Sequence, residues 1–202
     1  MPLNYLALGD SYTIGECVDQ QNSFPFQVSQ KLRSKGIEIN DPQIIALTGW
    51  TTNDLIKALE GKNFKEKFDL VTLLIGVNNQ YRGYSATNYR HEFKELLKTS
   101  LGYAENYKER LIVMSIPDWG LTPFAKKSGK NVRKISIQIN AFNAINKEEA
   151  IKAGVGYLDI NGSSRITDID LPVLAADGLH PSGKLYGIWA NELAKKFKTF
   201  KV

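Results

Sequence analysis

The stretch Leu6-Ala7-Leu8-Gly9-Asp10-Ser11-Tyr12 decides the fold, because it joins an apolar run to a sharp turn that carries a serine. The apolar run from Tyr5 to Leu8 predicts a buried strand, and Gly9-Asp10-Ser11 ends it. In a parallel sheet, ligands bind at the edge where the carboxyl ends of the strands lie. A serine in such a turn presents its hydroxyl to a cleft beside backbone N–H groups, as a nucleophile requires. The alternative is a strand followed by an ordinary Asp-Ser turn, and the rest of the chain must decide.

Strands and helices alternate along the rest of the sequence. Apolar runs predict further strands at residues 43–47, 69–75, 111–116 and 157–160. Caps, helical periodicity and glycine stops predict helices between Ser23 and Gly36 and at residues 51–61, 87–103, 132–153 and 182–200. This alternation predicts an α/β fold, a three-layer α/β/α sandwich with a five-stranded parallel sheet.

The expected strand order is flavodoxin-like, 2-1-3-4-5. That order places the loops after the first three strands around a single crevice. These loops carry Ser11, Gly49 and Asn78. The sequence therefore predicts that three segments far apart in the chain meet at one edge of the sheet.

The composition is that of a soluble globular protein. The chain has 202 residues, 43% of them hydrophobic and 23% charged, which predicts one domain over residues 1–202. The net charge of +5 is spread among many lysines, and the densest basic runs lie at 126–134 and 195–201. These runs lack interleaved aromatics, so we interpret them as solvated faces, with no nucleic-acid partner. The run at 126–134 also contains glycine and predicts a mobile loop. The sequence does not specify an oligomeric state.

Cysteine usage and the N-terminus bear on the environment of the protein. Cys17 is the one cysteine, which excludes an internal disulfide or a Cys-rich metal site, and we expect a small buried or half-buried thiol. No basic segment precedes an apolar one at the N-terminus, and Asp10 interrupts the first apolar stretch. The sequence thus predicts a cytoplasmic protein without a signal peptide or membrane span, unless an export signal was removed.

A base for Ser11 must come from one of two histidines. His91 lies among charged residues of a predicted helix, which indicates a surface position. His180 lies in the turn Asp177-Gly178-Leu179-His180-Pro181, just before the last predicted helix. The spacing lets the Asp177 carboxylate reach Nδ1 of His180 while Nε2 faces the serine. The alternative is a helix-capping turn with a satisfied histidine.

Acyl transfer also requires hydrogen-bond donors for the oxygen that becomes negatively charged. Ser11 can offer its backbone N–H, Gly49 lets a backbone N–H approach closely, and Asn78 carries a side-chain NH2 group. Taken singly, Gly49 fits a turn and Asn78 fits a loop. Their shared position at strand ends of one sheet favours a common site.

Four segments of the chain together resemble the SGNH (GDSL) hydrolase family. They are Gly9-Asp10-Ser11-Tyr12, Gly49, Gly76-Val77-Asn78-Asn79 and Asp177-Gly178-Leu179-His180-Pro181, in the family's order. The resemblance implies Ser11 as nucleophile, His180 as base and Asp177 as its orienting partner. It also implies an oxyanion hole formed by Ser11, Gly49 and Asn78. Tyr12 replaces the family's leucine, and Asn79 replaces an aspartate that would brace the loop.

The resemblance implies a serine esterase that needs no cofactor and no metal and acts on a small-molecule ester. Because no long apolar insertion separates the strands, we expect a shallow acyl pocket that favours short chains. Four aromatics follow strand ends and could stack on an acetylated sugar or simply pack the loops: Trp50, Tyr81, Tyr84 and Trp119. Alternatives are a lysophospholipase or thioesterase of the same family, a non-catalytic carbohydrate-binding relative, and a flavodoxin-like binding module.

Overall fold

A parallel sheet forms the centre of the computed structural model, which describes residues 1–62, 64, 67–164 and 173–197. The strands are β1 (Tyr5–Gly9), β2 (Gln43–Ala46), β3 (Leu70–Leu74), β4 (Leu111–Met114) and β5 (Gly156–Leu158). Their order is β2-β1-β3-β4-β5, and every pair is parallel. The predicted α/β fold and strand order are confirmed.

Helices separate the strands and follow the last one. In chain order they are α1 (Ser11–Ile14), α2 (Phe24–Arg33), α3 (Thr52–Leu59), α4 (Val77–Tyr81), α5 (Ala86–Tyr103), α6 (Pro123–Lys127), α7 (Val132–Ala153), α8 (Asn161–Ser164) and α9 (Gly183–Phe197). Short 3-10 turns lie at Gln20–Asn22, Lys108–Arg110 and Trp119–Leu121. None of the helices in these described ranges is both long and apolar enough to cross a lipid bilayer.

Several helix boundaries follow directly from local sequence chemistry. The hydroxyl of Thr51 accepts from the Asp54 N–H, and the Asp54 carboxylate accepts from the Thr51 N–H, which is the predicted capping box of α3. Asn131 caps α7, and Gly154 ends it in the left-handed conformation, at the predicted bounds. Residues 198–200 of the predicted last helix lie outside the described residues.

Two segments predicted as loops are partly helical. Val77–Tyr81 forms α4 directly after β3, because Gly76 turns the chain and the following residues complete one helical turn. Of the basic run at 126–134, which was predicted to be a mobile loop, the first two residues end helix α6 (Pro123–Lys127), whose N-cap is the Thr122 side chain. Both helices lie on the edge of the sheet that carries the predicted site.

The register of the sheet brings the site loops together. Gly9 at the end of β1 pairs with Ala46 on one side and with Leu74 on the other. Every residue of β1 and β3 is buried, so these strands are fixed between the helix layers. The segments after β1, β2 and β3 therefore begin side by side.

Candidate active site

Ser11 is the first residue of α1 and follows β1 through a tight turn. Asp10 caps the helix, its carboxylate accepting from the Tyr12 N–H at 3.0 Å. A Cβ at Gly9 would collide with the Thr13 side chain and the Leu74 carbonyl, so only glycine fits between β1 and the serine. The Ser11 residue is 5% exposed and its hydroxyl faces the edge of the sheet.

The structure brings Ser11, His180 and Asp177 into one hydrogen-bonded chain. Nε2 of His180 lies 3.0 Å from Ser11 Oγ, and Nδ1 lies 2.6 Å from Asp177 Oδ2. With Nδ1–H donating to the carboxylate, Nε2 is left to accept the Ser11 O–H. The imidazole packs against the Tyr12 ring at 5.5 Å between centroids, and His180 is 9% exposed. Residues 169 positions apart thus share one cleft.

The turn before α9 holds the imidazole in place. Oδ1 of Asp177 accepts from the N–H groups of Leu179 and His180, each at 3.0 Å. The His180 carbonyl accepts from the Ala175 N–H at 2.8 Å, and Leu174 pairs with Pro181 in an antiparallel bridge. Backbone hydrogen bonds therefore fix both sides of the turn.

The Asp177 carboxylate stays ionised over a wide pH range. Burial raises its pKa, but hydrogen bonds from the His180 ring and the backbone of Leu179 and His180 outweigh this, and the pKa falls to about 2. A carboxylate with this pKa remains charged below neutral pH and can stabilise an imidazolium. The carboxylate and the Ser11 hydroxyl bind opposite nitrogens of the same ring.

The pKa of Asp10, next to Ser11, is raised, whereas that of Asp177 is lowered. Asp10 is 1% exposed, and burial raises its pKa from 3.8 to about 7, although the Tyr12 N–H lowers it in part. Because the unfolded carboxyl loses its proton near pH 4 and the folded one only near pH 7, unfolding releases a proton between these values. The contribution of Asp10 to stability therefore falls as pH rises through this window.

Replacing Asp10 with asparagine should show this pH dependence. Asp10→Asn keeps an oxygen for the Tyr12 N–H and removes the ionisation. We expect the Tm of the variant relative to wild type to be higher at pH 8 than at pH 4 by at least about 5 °C. Thermal unfolding at both pH values measures it. An equal Tm difference at the two pH values would show that Asp10 does not ionise in this way.

Three residues at this edge of the sheet, Ser11 among them, carry N–H groups that could bind an oxyanion. Ser11, Gly49 and Asn78 all line the same cavity as His180. Gly49 has φ of +84°, a left-handed conformation that favours glycine. Among the described residues, nothing accepts from the backbone N–H of Ser11 or Gly49. One hydrogen of the Asn78 amide is donated to the Trp50 carbonyl at 2.9 Å, which orients the group and leaves the second hydrogen.

Asn79, one of the two residues that depart from the family pattern, braces the loop as an amide. It is fully buried, and its oxygen accepts from the Thr52 N–H at 3.0 Å. Its NH2 group donates to Thr52 Oγ1 at 2.6 Å, and Thr52 in turn contacts the Glu92 carboxylate of α5. The amide thus ties α4 to the start of α3, beside the Gly49 turn.

The cavity at the site has a volume of about 180 Å³ and mainly apolar walls. Of the aromatics singled out in the sequence, Tyr81 and Trp119 line it, whereas Trp50 and Tyr84 lie outside the lining. Tyr81 is 46% exposed, while Trp119 is 2% exposed and is fixed by donation from its indole to Gln80. The further lining residues are Tyr12, Thr48, Val77, Phe124 and Leu179. Phe124 lies just before the basic run at 126–134, in a segment whose sequence did not predict that it would line a cavity.

Cys17 corrects one sequence prediction. It is exposed, not buried or half-buried, because it lies in the surface turn after α1, where it adopts a left-handed conformation with φ of +64°. Its Sγ donates to Asp177 Oδ2 at 3.4 Å. Although the residue is exposed, partial desolvation of the thiol and the neighbouring Asp177 carboxylate raise the pKa of Cys17, so it is less reactive than an ordinary cysteine. Because Cys17 and Asp177 lie 160 positions apart, no sequence motif predicted their contact.

The same cysteine belongs to a group of residues of metal-binding type. In the described part of the chain, the single such group comprises Cys17, Asp177 and His180, whose ligand atoms lie within 4.8 Å of one another. However, Nδ1 of His180 and the Asp177 carboxylate already bind each other. A metal ion there would have to break the hydrogen bond that orients the imidazole.

Comparison with known proteins gives one family and several similar folds. The model of the GDSL-like lipase/acylhydrolase family matches residues 7–188. No curated protein shows a significant match in sequence.

Solved structures of bacterial hydrolases share the fold. A lipase/acylhydrolase from Enterococcus faecalis is 19% identical with a TM-score of 0.76, and the match covers 98% of this chain and 96% of that one. Axe2, an acetylxylan esterase from Geobacillus stearothermophilus, is 17% identical with a TM-score of 0.71, covering 100% and 98%. The psychrotrophic esterase EstA from Pseudoalteromonas sp. is 16% identical with a TM-score of 0.70, covering 97% of each chain.

Proposed function

Because the chain belongs to the GDSL-like lipase/acylhydrolase family, we propose that it is a serine esterase that hydrolyses short-chain carboxylic esters through an acyl-enzyme. The observation that carries this proposal is the 3.0 Å distance between His180 Nε2 and Ser11 Oγ, with Asp177 2.6 Å from Nδ1. A serine hydroxyl becomes a useful nucleophile when a positioned imidazole removes its proton.

In the first half of the reaction, Ser11 Oγ attacks the ester carbonyl carbon. Nε2 of His180 takes the hydroxyl proton, and Asp177 stabilises the resulting imidazolium through Nδ1–H. The carbonyl oxygen becomes negative and accepts from the backbone N–H groups of Ser11 and Gly49 and from the Asn78 amide. The imidazolium then donates its proton to the departing alcohol, and the acyl group stays on Ser11.

In the second half, water replaces the alcohol. His180 takes a proton from the water, whose oxygen attacks the acyl carbon, and the same donors hold the negative oxygen. Collapse of this intermediate returns the proton to Ser11 Oγ and releases the carboxylic acid. Each proton is transferred by a side chain of the protein, so this chemistry requires no cofactor.

The size and walls of the cavity support short acyl groups. Its volume of about 180 Å³ is below the range of about 300–1,000 Å³ typical of sites for drug-sized ligands. Tyr81 offers an exposed aromatic surface on which a sugar ring could stack. Acetylated carbohydrate is therefore included among the proposed substrates, as Axe2 is an acetylxylan esterase.

A series of p-nitrophenyl esters of graded acyl length, beside an acetylated sugar, tests the proposal. We expect kcat/KM to be highest for acetate or butyrate and to fall steadily toward laurate. A maximum at long chains would favour the lysophospholipase or thioesterase alternative. No turnover of any ester by folded protein would favour a carbohydrate-binding relative.

Asn78→Ala should slow the chemical step without abolishing it. Loss of one donor to the oxyanion is expected to lower kcat by about 10²-fold or more. KM should change much less, because the donor acts mainly on the charged oxygen of the transition state. Steady-state kinetics on p-nitrophenyl acetate measures both, with thermal unfolding to verify the fold. An unchanged kcat would remove Asn78 from this role.

A further inference from the structure

A strongly basic segment borders the candidate active site and contributes Phe124 to its lining. Residues 119–146 contain five basic and no acidic residues. The five lie within residues 122–134, which we call the basic wall: Lys126, Lys127, Lys130, Arg133 and Lys134. All five are exposed, and none forms an ion pair with a carboxylate in the described ranges. The wall therefore keeps its positive charge available to a ligand.

The basic wall is attached to the cavity at two points. The Phe124 N–H donates to the Gly178 carbonyl at 3.1 Å, next to the turn that holds His180, and the Phe124 ring lines the cavity. Farther along the wall, Lys130 Nζ lies 3.6 Å from the centre of the Tyr81 ring and 5.7 Å from that of Trp119. Both rings line the cavity, so the ammonium group is held at its rim.

Charge differs between the two sides of the cavity. The sheet order puts the loop after β2 on one side of Ser11 and the segment after β4 on the other. On the β2 side, the Thr48 hydroxyl donates to the Glu16 carboxylate. The Arg82 guanidinium donates to the Gly49 carbonyl and forms an ion pair with Asp54. On the β4 side, Asp118 is buried and its Oδ1 accepts from the Gly120 N–H, whereas Lys130 is exposed and has no carboxylate partner among the described residues. An anion would be favoured at Lys130 and disfavoured near Glu16.

We propose that the basic wall binds a negatively charged group, a carboxylate or phosphate, on the ester substrate, and that Lys130 determines this preference. The inference rests on the proposed esterase function and specifies its substrate class. An ammonium group binds either anion as a point charge with three donors. The apolar cavity receives the rest of the ester, while the charged group stays at the rim, where water can still reach it.

The test compares esters that differ only in charge. We would measure acetate release from 4-acetoxybutanoate, which is anionic, and from 4-acetoxybutanamide, its neutral analogue of similar shape. At low ionic strength, wild type should show kcat/KM about 10-fold higher for the anion, and salt should reduce this ratio. A third substrate, 2-acetoxyethyl phosphate, distinguishes the anions: a preference for it alone assigns a phosphate, and equal preference assigns any compact anion.

Variants of Lys130 test whether this residue causes the preference for the anionic ester. Lys130→Met keeps the length of the side chain and removes its charge, so the anion-to-neutral ratio should fall to about one. Lys130→Arg should retain the preference. Lys35→Met is the matched control, because Lys35 is exposed and lies between α2 and β2 at the opposite edge of the sheet.

Two results overturn the inference while leaving the esterase function intact. One is a wild-type enzyme that hydrolyses both esters equally well, and the other is an anion preference that Lys130→Met retains in full. A folded protein that hydrolyses none of the three esters, nor p-nitrophenyl acetate, would instead refute the proposed function and this inference with it.

Discussion

Ser11→Ala is expected to lower kcat for p-nitrophenyl acetate by about 10⁵-fold or more, with the fold intact. The variant removes the oxygen that would form the acyl bond, and among the described residues no other hydroxyl is bound to Nε2 of His180. What remains is the weak catalysis of ordered water and the oxyanion donors. Initial rates of nitrophenol release, with circular dichroism of both proteins, measure the effect.

A second serine provides the control for this variant. Ser29 is fully buried in α2, and its hydroxyl has no hydrogen-bond partner among the described residues. Ser29→Ala removes the same atom at a site remote from the cavity, so activity should stay at the wild-type level. A Ser11→Ala enzyme with substantial turnover would place the nucleophile elsewhere.

His180→Ala is expected to have an effect of similar size, because an unassisted serine hydroxyl is a weak nucleophile at neutral pH. Ser11 and His180 act in the same step, so removing either one abolishes the contribution of both. The double variant Ser11→Ala/His180→Ala should therefore be no less active than either single variant. Added imidazole should partly restore the activity of His180→Ala by entering the space that the side chain leaves. It should not rescue Ser11→Ala.

His91 provides the control for the His180→Ala variant. It is the other histidine of the chain and is exposed on α5. His91→Ala should therefore keep wild-type kcat and KM under the same assay. Loss of activity in His91→Ala together with retention in His180→Ala would contradict the assignment of the base.

The fold could be predicted from the sequence because its signals are local. A mainly apolar run such as Leu70–Leu74 is typical of a central strand covered on both faces, and the Thr51 and Asp54 capping box specifies a helix start without tertiary help. The strand order then follows from the short parallel crossovers. Boundaries differed by a few residues because strand ends depend on pairing with neighbours, as at Ile116, which the prediction placed in β4.

The candidate site was predictable in part, and the remainder depends on contacts between distant segments. Motif order suggested Ser11 and His180 as partners, and the fold brings them to 3.0 Å. The contact of Cys17 with Asp177 and that of Lys130 with Tyr81 involve residues of ordinary surface type, so neither has a motif. The Asn79 side chain braces the loop because its amide both accepts and donates a hydrogen bond. The sequence showed only that an asparagine replaces the family's aspartate, and this did not predict either bond.

The central claim is that the Ser11 hydroxyl is activated by the His180 imidazole across one cleft. Labelling with a fluorophosphonate, followed by mass spectrometry of the digested protein, tests it most directly, because the reagent reacts with activated serines. We predict a single phosphonylated peptide, modified at Ser11, in wild type and in His91→Ala, and no label in His180→Ala. Folded wild-type protein that stays unlabelled, or that is labelled at another serine, would contradict the account.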